Sequence, residues 1–335
     1  MAIFNSNKYK KINYILLKYV ISSILFTMSF NAYAKSEPKQ VSRNASLIVD
    51  SNTGTILHQE NASKHRYPAS LTKMMTVYLT FEALKSGKLN LNKELTVSKH
   101  AASMPKMNIG LRAGEKIKLK DALMATIIRS ANDTSVVLAE AVSGCEIVFA
   151  KKMTERAHQI GMHHTLFKNA SGLPNPAQKT TAYDMAKLAI ALNRDFPEYY
   201  SFFSKTSFTF KGNTYHGHNN VTKNYPGATG LKTGYINASG FNLVTSAKRG
   251  NSKLIGVVLG GDTAQSRDKK MVALLDKYFS KREFDELPTE FSDGSSKIVK
   301  KTVKVAAIKS NNFKPKKVSY KLVSNKKPAR KGNYS

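Results

Sequence analysis

The sequence predicts an α+β fold in which one sheet is assembled from the two ends of the folded chain, with a mainly helical subdomain inserted between its halves. Three observations lead there. Short apolar runs, Leu47-Ile48-Val49 and Ile56-Leu57, flank Asp50-Ser51-Asn52-Thr53-Gly54 between Ala45 and Glu60, the pattern of a β-hairpin. Aliphatic and β-branched runs return only after Gly230, at Phe241 to Ala247 and Leu254 to Leu259. Between these regions the apolar residues recur with helical spacing.

In chain order, Pro68 and Ala69 introduce a helix over Ser70 to Ser86, closed by Gly87. Its residues Leu71, Met74, Met75, Val77, Tyr78, Leu79, Phe81 and Leu84 are apolar almost all round, which makes it a central helix. Further helices are expected near 120–129, 133–143, 146–160 and 182–193. The last of these opens with Thr181 and Asp184 in capping-box spacing. A final helix near Ser266 to Phe279 follows the second pair of strands.

At 335 residues and 41% hydrophobic content the chain has enough apolar surface for one large core or two smaller ones. Its first 34 residues read as a signal peptide. Lys8, Lys10, Lys11 and Lys18 precede an apolar run from Tyr19 to Phe30, and Ala32-Tyr33-Ala34 offers a small-x-small cleavage site. That run is about 12 residues, short of the roughly 20 a spanning helix needs. The protein is therefore expected to be exported to the periplasm or cell envelope, with a folded domain over 35–282. Past Arg282 the residues Pro, Ser, Asn and Lys dominate, and a run such as Lys314-Pro315-Lys316-Lys317 has nothing to build a core from. The stretch 283–335 is expected to be a disordered basic tail.

The net charge of +31 is unevenly spread. The signal segment holds 4 of the 53 basic residues and residues 297–335 hold 13, neither with any acid, leaving 36 basic against 22 acidic residues in 35–296. The folded body is thus only moderately basic, and no nucleic-acid partner is expected. The tail is suited to anionic wall polymer or a membrane surface, where each lysine contributes about 1 kcal/mol. Cys145 is the only cysteine, so no intramolecular disulfide forms, and core packing must hold the fold. No set of carboxylates or cysteines joins His163-His164 or His216-Gly217-His218 into a metal site, and no cofactor is implied.

Three short motifs carry chemistry. Ser70-Leu71-Thr72-Lys73 puts a hydroxyl and an amine at i and i+3, neighbours on one helical face. A serine needs an adjacent base to act as a nucleophile, and a lysine buried among apolar residues loses its proton readily enough to be that base. Taken alone the spacing fits a capping serine and a snorkelling lysine equally well. Ser130-Ala131-Asn132 lies between two helical segments and Lys232-Thr233-Gly234 opens the later strand region, each compatible by itself with a cap or a turn. Specificity comes from their occurring together, in this order.

With all three in place the chain resembles the low-molecular-mass penicillin-binding proteins, the serine D-alanyl-D-alanine carboxypeptidases of the peptidase S11 family. Arg66-Tyr67-Pro68-Ala69-Ser70-Leu71-Thr72-Lys73-Met74-Met75-Thr76 is similar to their nucleophile segment. Leu47 to Gly54, Gly230-Leu231-Lys232-Thr233-Gly234-Tyr235 and Gly240-Phe241-Asn242-Leu243-Val244 extend the likeness, which covers about 45 to 280. The resemblance implies a β-lactamase/transpeptidase-like fold, an antiparallel sheet flanked by helices. It also implies acyl transfer through Ser70 on the stem peptide of peptidoglycan, with β-lactam antibiotics as covalent inhibitors. In that scheme Lys73 is the base, Ser130 relays a proton to the leaving amine and Asn132 holds the substrate backbone. Lys232 and Thr233 meet the terminal carboxylate, and the oxyanion lies between the backbone N–H groups of Ser70 and Tyr235, just after Gly234.

Other readings share parts of this pattern. A D,D-endopeptidase cutting wall cross-links uses the same machinery. A class A β-lactamase needs a further glutamate to activate deacylating water, and no acidic residue occurs between Gly161 and Pro176. A catalytically dead wall-binding protein accounts for the tail but leaves Ser70, Lys73, Ser130, Asn132 and Lys232 as coincidence.

Overall fold

The computed structural model describes residues 43–285. Strand β1 (Ala45–Asp50) turns into β2 (Ile56–Glu60) as the hairpin pattern predicts, and the turn is fixed by Asp50 Oδ1, which accepts from the backbone N–H groups of Asn52 and Thr53 at 2.7 Å each. A short 3₁₀ turn (Ala69–Thr72) then leads into helix α1 (Lys73–Lys85), so the expected helix begins as a tighter coil that carries Ser70. The hairpin β3 (Glu94–Thr96) and β4 (Lys116–Lys118) follows, then α2 (Leu119–Met124), which widens into a single π turn over Ala125–Arg129. Helices α3 (Asn132–Ser143), α4 (Glu146–Gln159) and α5 (Ala182–Asp195) complete the helical region, and Thr181 caps α5 by accepting from Asp184 N–H. A second small hairpin, β5 (Ser207–Phe210) and β6 (Asn213–His216), precedes β7 (Ala228–Ile236), β8 (Gly240–Arg249), β9 (Ser252–Gly261) and the last helix α6 (Ala264–Asp285).

The main sheet is antiparallel throughout, in the order β2-β1-β9-β8-β7. The N-terminal hairpin thus pairs with strands encoded about two hundred residues later, as Ala45 faces Leu259 and Asp50 faces Leu254. Both faces are covered. Leu47, Val49, Val244, Ile255 and Val257 face the core shared with α1 and α5, while Ile48, Leu243, Leu254 and Val258 face Met271 and Leu275 of α6. Burial on both sides explains why these strands read as short continuous apolar runs instead of a clean polar/apolar alternation. Helix α1 is buried almost all round, in keeping with its sequence.

Helix α6 runs to Asp285, beyond the boundary expected at 282. The expected signal peptide at 1–34 and the rest of the expected tail lie outside the described residues. Among the described residues no helix is long and apolar enough to cross a membrane. Cys145, between α3 and α4, is an exposed free thiol.

Candidate active site

Ser70, Lys73, Ser130, Asn132 and Lys232, contributed by three distant parts of the chain, meet where β7, the edge strand of the sheet, passes the 3₁₀ turn and the start of α3. Lys73 is fully buried on the first turn of α1, and its Nζ has three neighbours: Ser70 Oγ at 3.1 Å, Asn132 Oδ1 at 2.8 Å and the carbonyl oxygen of Ser171. The last two atoms accept hydrogen bonds only. An uncharged amine satisfies both by donating its two hydrogens, which turns its lone pair to the one partner able to donate, the Ser70 hydroxyl. The electrostatics agree. Burial holds Lys73 well below the ordinary lysine range and the nearby charge of Lys232 pushes the same way, against a smaller pull from Asp133 and Glu146.

Ser130 ends the π turn in a left-handed conformation (φ 62°), and Ala131 stands at the N-cap of α3, so Ser130 is not the helix-start cap its residue type suggests. This backbone directs its Oγ to Lys232 Nζ at 2.9 Å, while the same ammonium donates to Thr233 O. Burial, aided by the charge of Arg267, brings Lys232 down to about 7. Asn132 is held by its own amide, Nδ2 donating to Pro105 O and Oδ1 accepting from Lys73, which leaves one N–H and one lone pair for a ligand.

Strand β7 lies unusually close to the nucleophile. Gly234 packs against the turn so tightly that a Cβ there would stand 3.0 Å from Ser70 N and 3.1 Å from Pro68 O. Thr233 is half-buried, and Tyr235 is exposed with its ring against Phe241. Because β7 is an edge strand, no strand among the described residues lies along the backbone edge turned away from β8, and this edge borders Ser70.

Three groups have roles that the sequence analysis did not assign. Ser171 contributes a backbone oxygen to Lys73 from a loop that Glu146 pins at Ala170 N–H and Thr76 pins at Ala170 O. Asn242 on β8 is buried, and its Nδ2 donates to both Tyr67 O and Pro68 O while its Oδ1 accepts from Gly260 N–H, so one side chain ties the nucleophile segment to the sheet. Arg129 and His218 lie 3.3 Å apart; His218 is lowered by burial and by the charges of Arg129 and Lys232. The sequence raised His218 only within His216-Gly217-His218, which no carboxylate or cysteine completes into a metal site.

The family model described as peptidase S11, D-alanyl-D-alanine carboxypeptidase, matches residues 31–263. The chain belongs to this family. Among its relatives are the D-alanyl-D-alanine carboxypeptidases DacF of Bacillus subtilis, 36% identical over 79% of this chain and 70% of that protein, and DacD of Escherichia coli, 32% identical over 76% and 70%. Penicillin binding protein 5 from Haemophilus influenzae superposes with a TM-score of 0.68 at 34% identity, covering 70% of each chain. The ampicillin-bound form of penicillin-binding protein D2 from Listeria monocytogenes superposes with a TM-score of 0.63 at 28% identity, covering 72% of this chain and all of that one.

Within this S11 peptidase the Asn242 bracket has a direct test. Asn242→Asp keeps the shape and the acceptor for Gly260, but sets a carboxylate oxygen against the carbonyls of Tyr67 and Pro68. Urea unfolding at neutral pH is expected to show a loss of about 2–3 kcal/mol, the cost of a buried unsatisfied and repelling group.

Proposed function

We propose that this chain is an envelope serine D-alanyl-D-alanine carboxypeptidase that removes the terminal D-alanine of peptidoglycan stem peptides through an acyl-enzyme on Ser70 and is acylated at the same atom by β-lactams. The observation that carries it is the Lys73 amine, buried, held well below the ordinary lysine range and placed 3.1 Å from Ser70 Oγ. Family membership, the carboxypeptidase relatives and the ampicillin-bound neighbour support the substrate and inhibitor classes. The Lys-rich, apolar N-terminal segment supports export to the periplasm, where the substrate lies.

In the first step Ser70 Oγ bonds to the carbonyl carbon between the two D-alanines and its proton passes to Lys73 Nζ. The developing oxyanion lies against backbone N–H groups of Ser70 and Tyr235, and the charge on Lys232, beside Thr233, meets the terminal carboxylate. As the C–N bond breaks, the proton held by Lys73 leaves with the D-alanine amine by way of the Ser130 hydroxyl. Asn132 keeps the peptide backbone in register. Water then attacks the ester, giving a proton to Lys73, and Ser70 Oγ leaves with that proton restored.

Incubation with a pentapeptide ending in D-Ala-D-Ala is expected to release D-alanine, and labelled penicillin is expected to leave one covalent adduct on Ser70. A covalent adduct without D-alanine release would point to endopeptidase specificity, and absence of both would reject the enzyme reading.

The titrations set the pH dependence. Lys73 must be neutral and Lys232 must be charged, so kcat/KM should fall on the acid side as Lys73 protonates, and on the alkaline side near pH 7 as free Lys232 deprotonates. A bound carboxylate favours the Lys232 ammonium, so the alkaline limb is expected at higher pH in kcat than in kcat/KM. Identical limbs in both profiles would remove Lys232 from the carboxylate site.

A further inference from the structure

A cavity of about 250 Å³ opens between Tyr67, just ahead of the nucleophile turn, and the Ala238-Ser239 turn that follows β7. Arg43, His65, Arg66 and Lys179 complete its walls, so three of its lining residues are cationic and, among the described residues, none is acidic. Asp262 stands 4.0 Å from Arg43 but is 81% exposed, and solvent weakens that pairing.

Side-chain and backbone hydrogen bonds fix the cavity. Arg43 Nη1 donates to Asn237 O at 2.9 Å, and Arg66 Nε donates to Arg43 O at 2.7 Å. Arg66 and Thr180 exchange backbone hydrogen bonds at 2.8 Å in both directions, which holds Lys179 beside Arg66. His65 is braced by an edge contact with the ring of His164. The residues around the cavity therefore come from four separate segments held in one place, and an anion that enters meets their positive charges.

The location suggests which anion. If the terminal carboxylate of the substrate lies at Lys232, near Arg129 and His218, and the scissile carbonyl lies at Ser70, the remainder of the peptide leaves in the opposite direction, past Tyr235 toward the 237–239 turn. An extended peptide on an edge strand advances about 3.3 Å per residue, so the one or two residues preceding the D-alanyl pair come abreast of the cavity. We propose that this cavity is a subsite for a carboxylate carried by the stem peptide upstream of its D-alanyl-D-alanine end. It rests on the carboxypeptidase reading and adds to it a second electrostatic determinant, at the other end of the substrate from Lys232.

The test uses two peptides ending in D-Ala-D-Ala that differ only in whether the upstream carboxylate is free or converted to a carboxamide. The wild-type enzyme is expected to prefer the free acid by about tenfold in kcat/KM at low salt, the scale of one charge-assisted contact, with the preference shrinking as salt screens it. In Lys179→Glu the preference should vanish or invert, and in Lys179→Gln it should shrink, with thermal unfolding recorded for each variant. If Lys179→Glu does not fold, Lys179→Gln carries the comparison. Equal kcat/KM for the two peptides in the wild type, or a preference unchanged in the folded variants, overturns the subsite and leaves the carboxypeptidase reading intact. Release of D-alanine from neither peptide by the wild type removes that reading, and the subsite with it.

Discussion

Ser70→Ala is expected to abolish the penicillin adduct and lower D-alanine release by about 10⁴- to 10⁶-fold, because the atom that bonds to the substrate is gone while the groups that hold the substrate remain. Lys73→Ala should act on the same step through a different property. Ser70 Oγ is retained, but the amine beside it is not, and acylation by labelled penicillin should slow by about 10²- to 10⁴-fold instead of disappearing. The two variants also part in stability. Ser70 is half-buried and its Oγ contacts Lys73 Nζ, so its truncation should leave urea unfolding nearly unchanged. Lys73 is buried and held below its ordinary proton affinity, so wild-type folding at neutral pH includes the cost of removing its proton. That cost grows as pH falls below the unfolded lysine's value, so the wild type should gain stability as pH rises toward 10.5. Lys73→Ala should lose that part of the gradient. A Lys73→Ala enzyme acylated at the wild-type rate would rule out the amine as base, whatever its effect on stability.

Much of this was legible before the structure, for reasons that also set its limits. Side-chain chemistry at fixed spacing is visible in a sequence, so the three motifs carrying Ser70, Lys73, Ser130, Asn132 and Lys232 stood out, and so did the α+β order of strands, helices and strands. The hairpin at Asp50 was visible because its turn residues have local signatures. Contacts made by backbone atoms have none. Any residue could supply the carbonyl that Ser171 gives to Lys73, and the Asn242 amide reaches Tyr67 across 175 positions of sequence. Conformation at single residues was equally hidden. Ser130 has the composition of a cap but lies at φ 62°, and Ala69, an ordinary helix former, lies at φ 49° immediately ahead of the nucleophile. The hairpin of β3 and β4 has three residues per strand, too few to show a period of two.

The unusual backbone at Ala69 leads to the second large effect, at Gly172. Ala69 turns its carbonyl onto the loop that carries Ser171, and a Cβ at Gly172 would stand 1.9 Å from Ala69 O and 3.0 Å from Ser70 N. Gly172 also lies at φ 82°, where an L side chain is strained even in open space. Asn169 Oδ1 fixes Gly172 N–H at 2.7 Å, and the loop is bonded on both sides of Ala170, so it has little freedom to retreat. The nucleophile turn is equally confined from the other side by Gly234 and Asn242. Gly172→Ala therefore forces two fixed backbones apart, and we expect a loss of about 3–5 kcal/mol in urea unfolding, at the upper end for single substitutions. Where the variant still folds, acylation should fall further than the folded fraction does, since the same displacement moves Ser171 O from Lys73 and Ser70 N–H from the oxyanion. Acylation that tracks only the folded fraction would mean that the loop supports the fold without setting the geometry of the base. Gly172 would then act on stability alone, and the position of Lys73 would depend on Asn132.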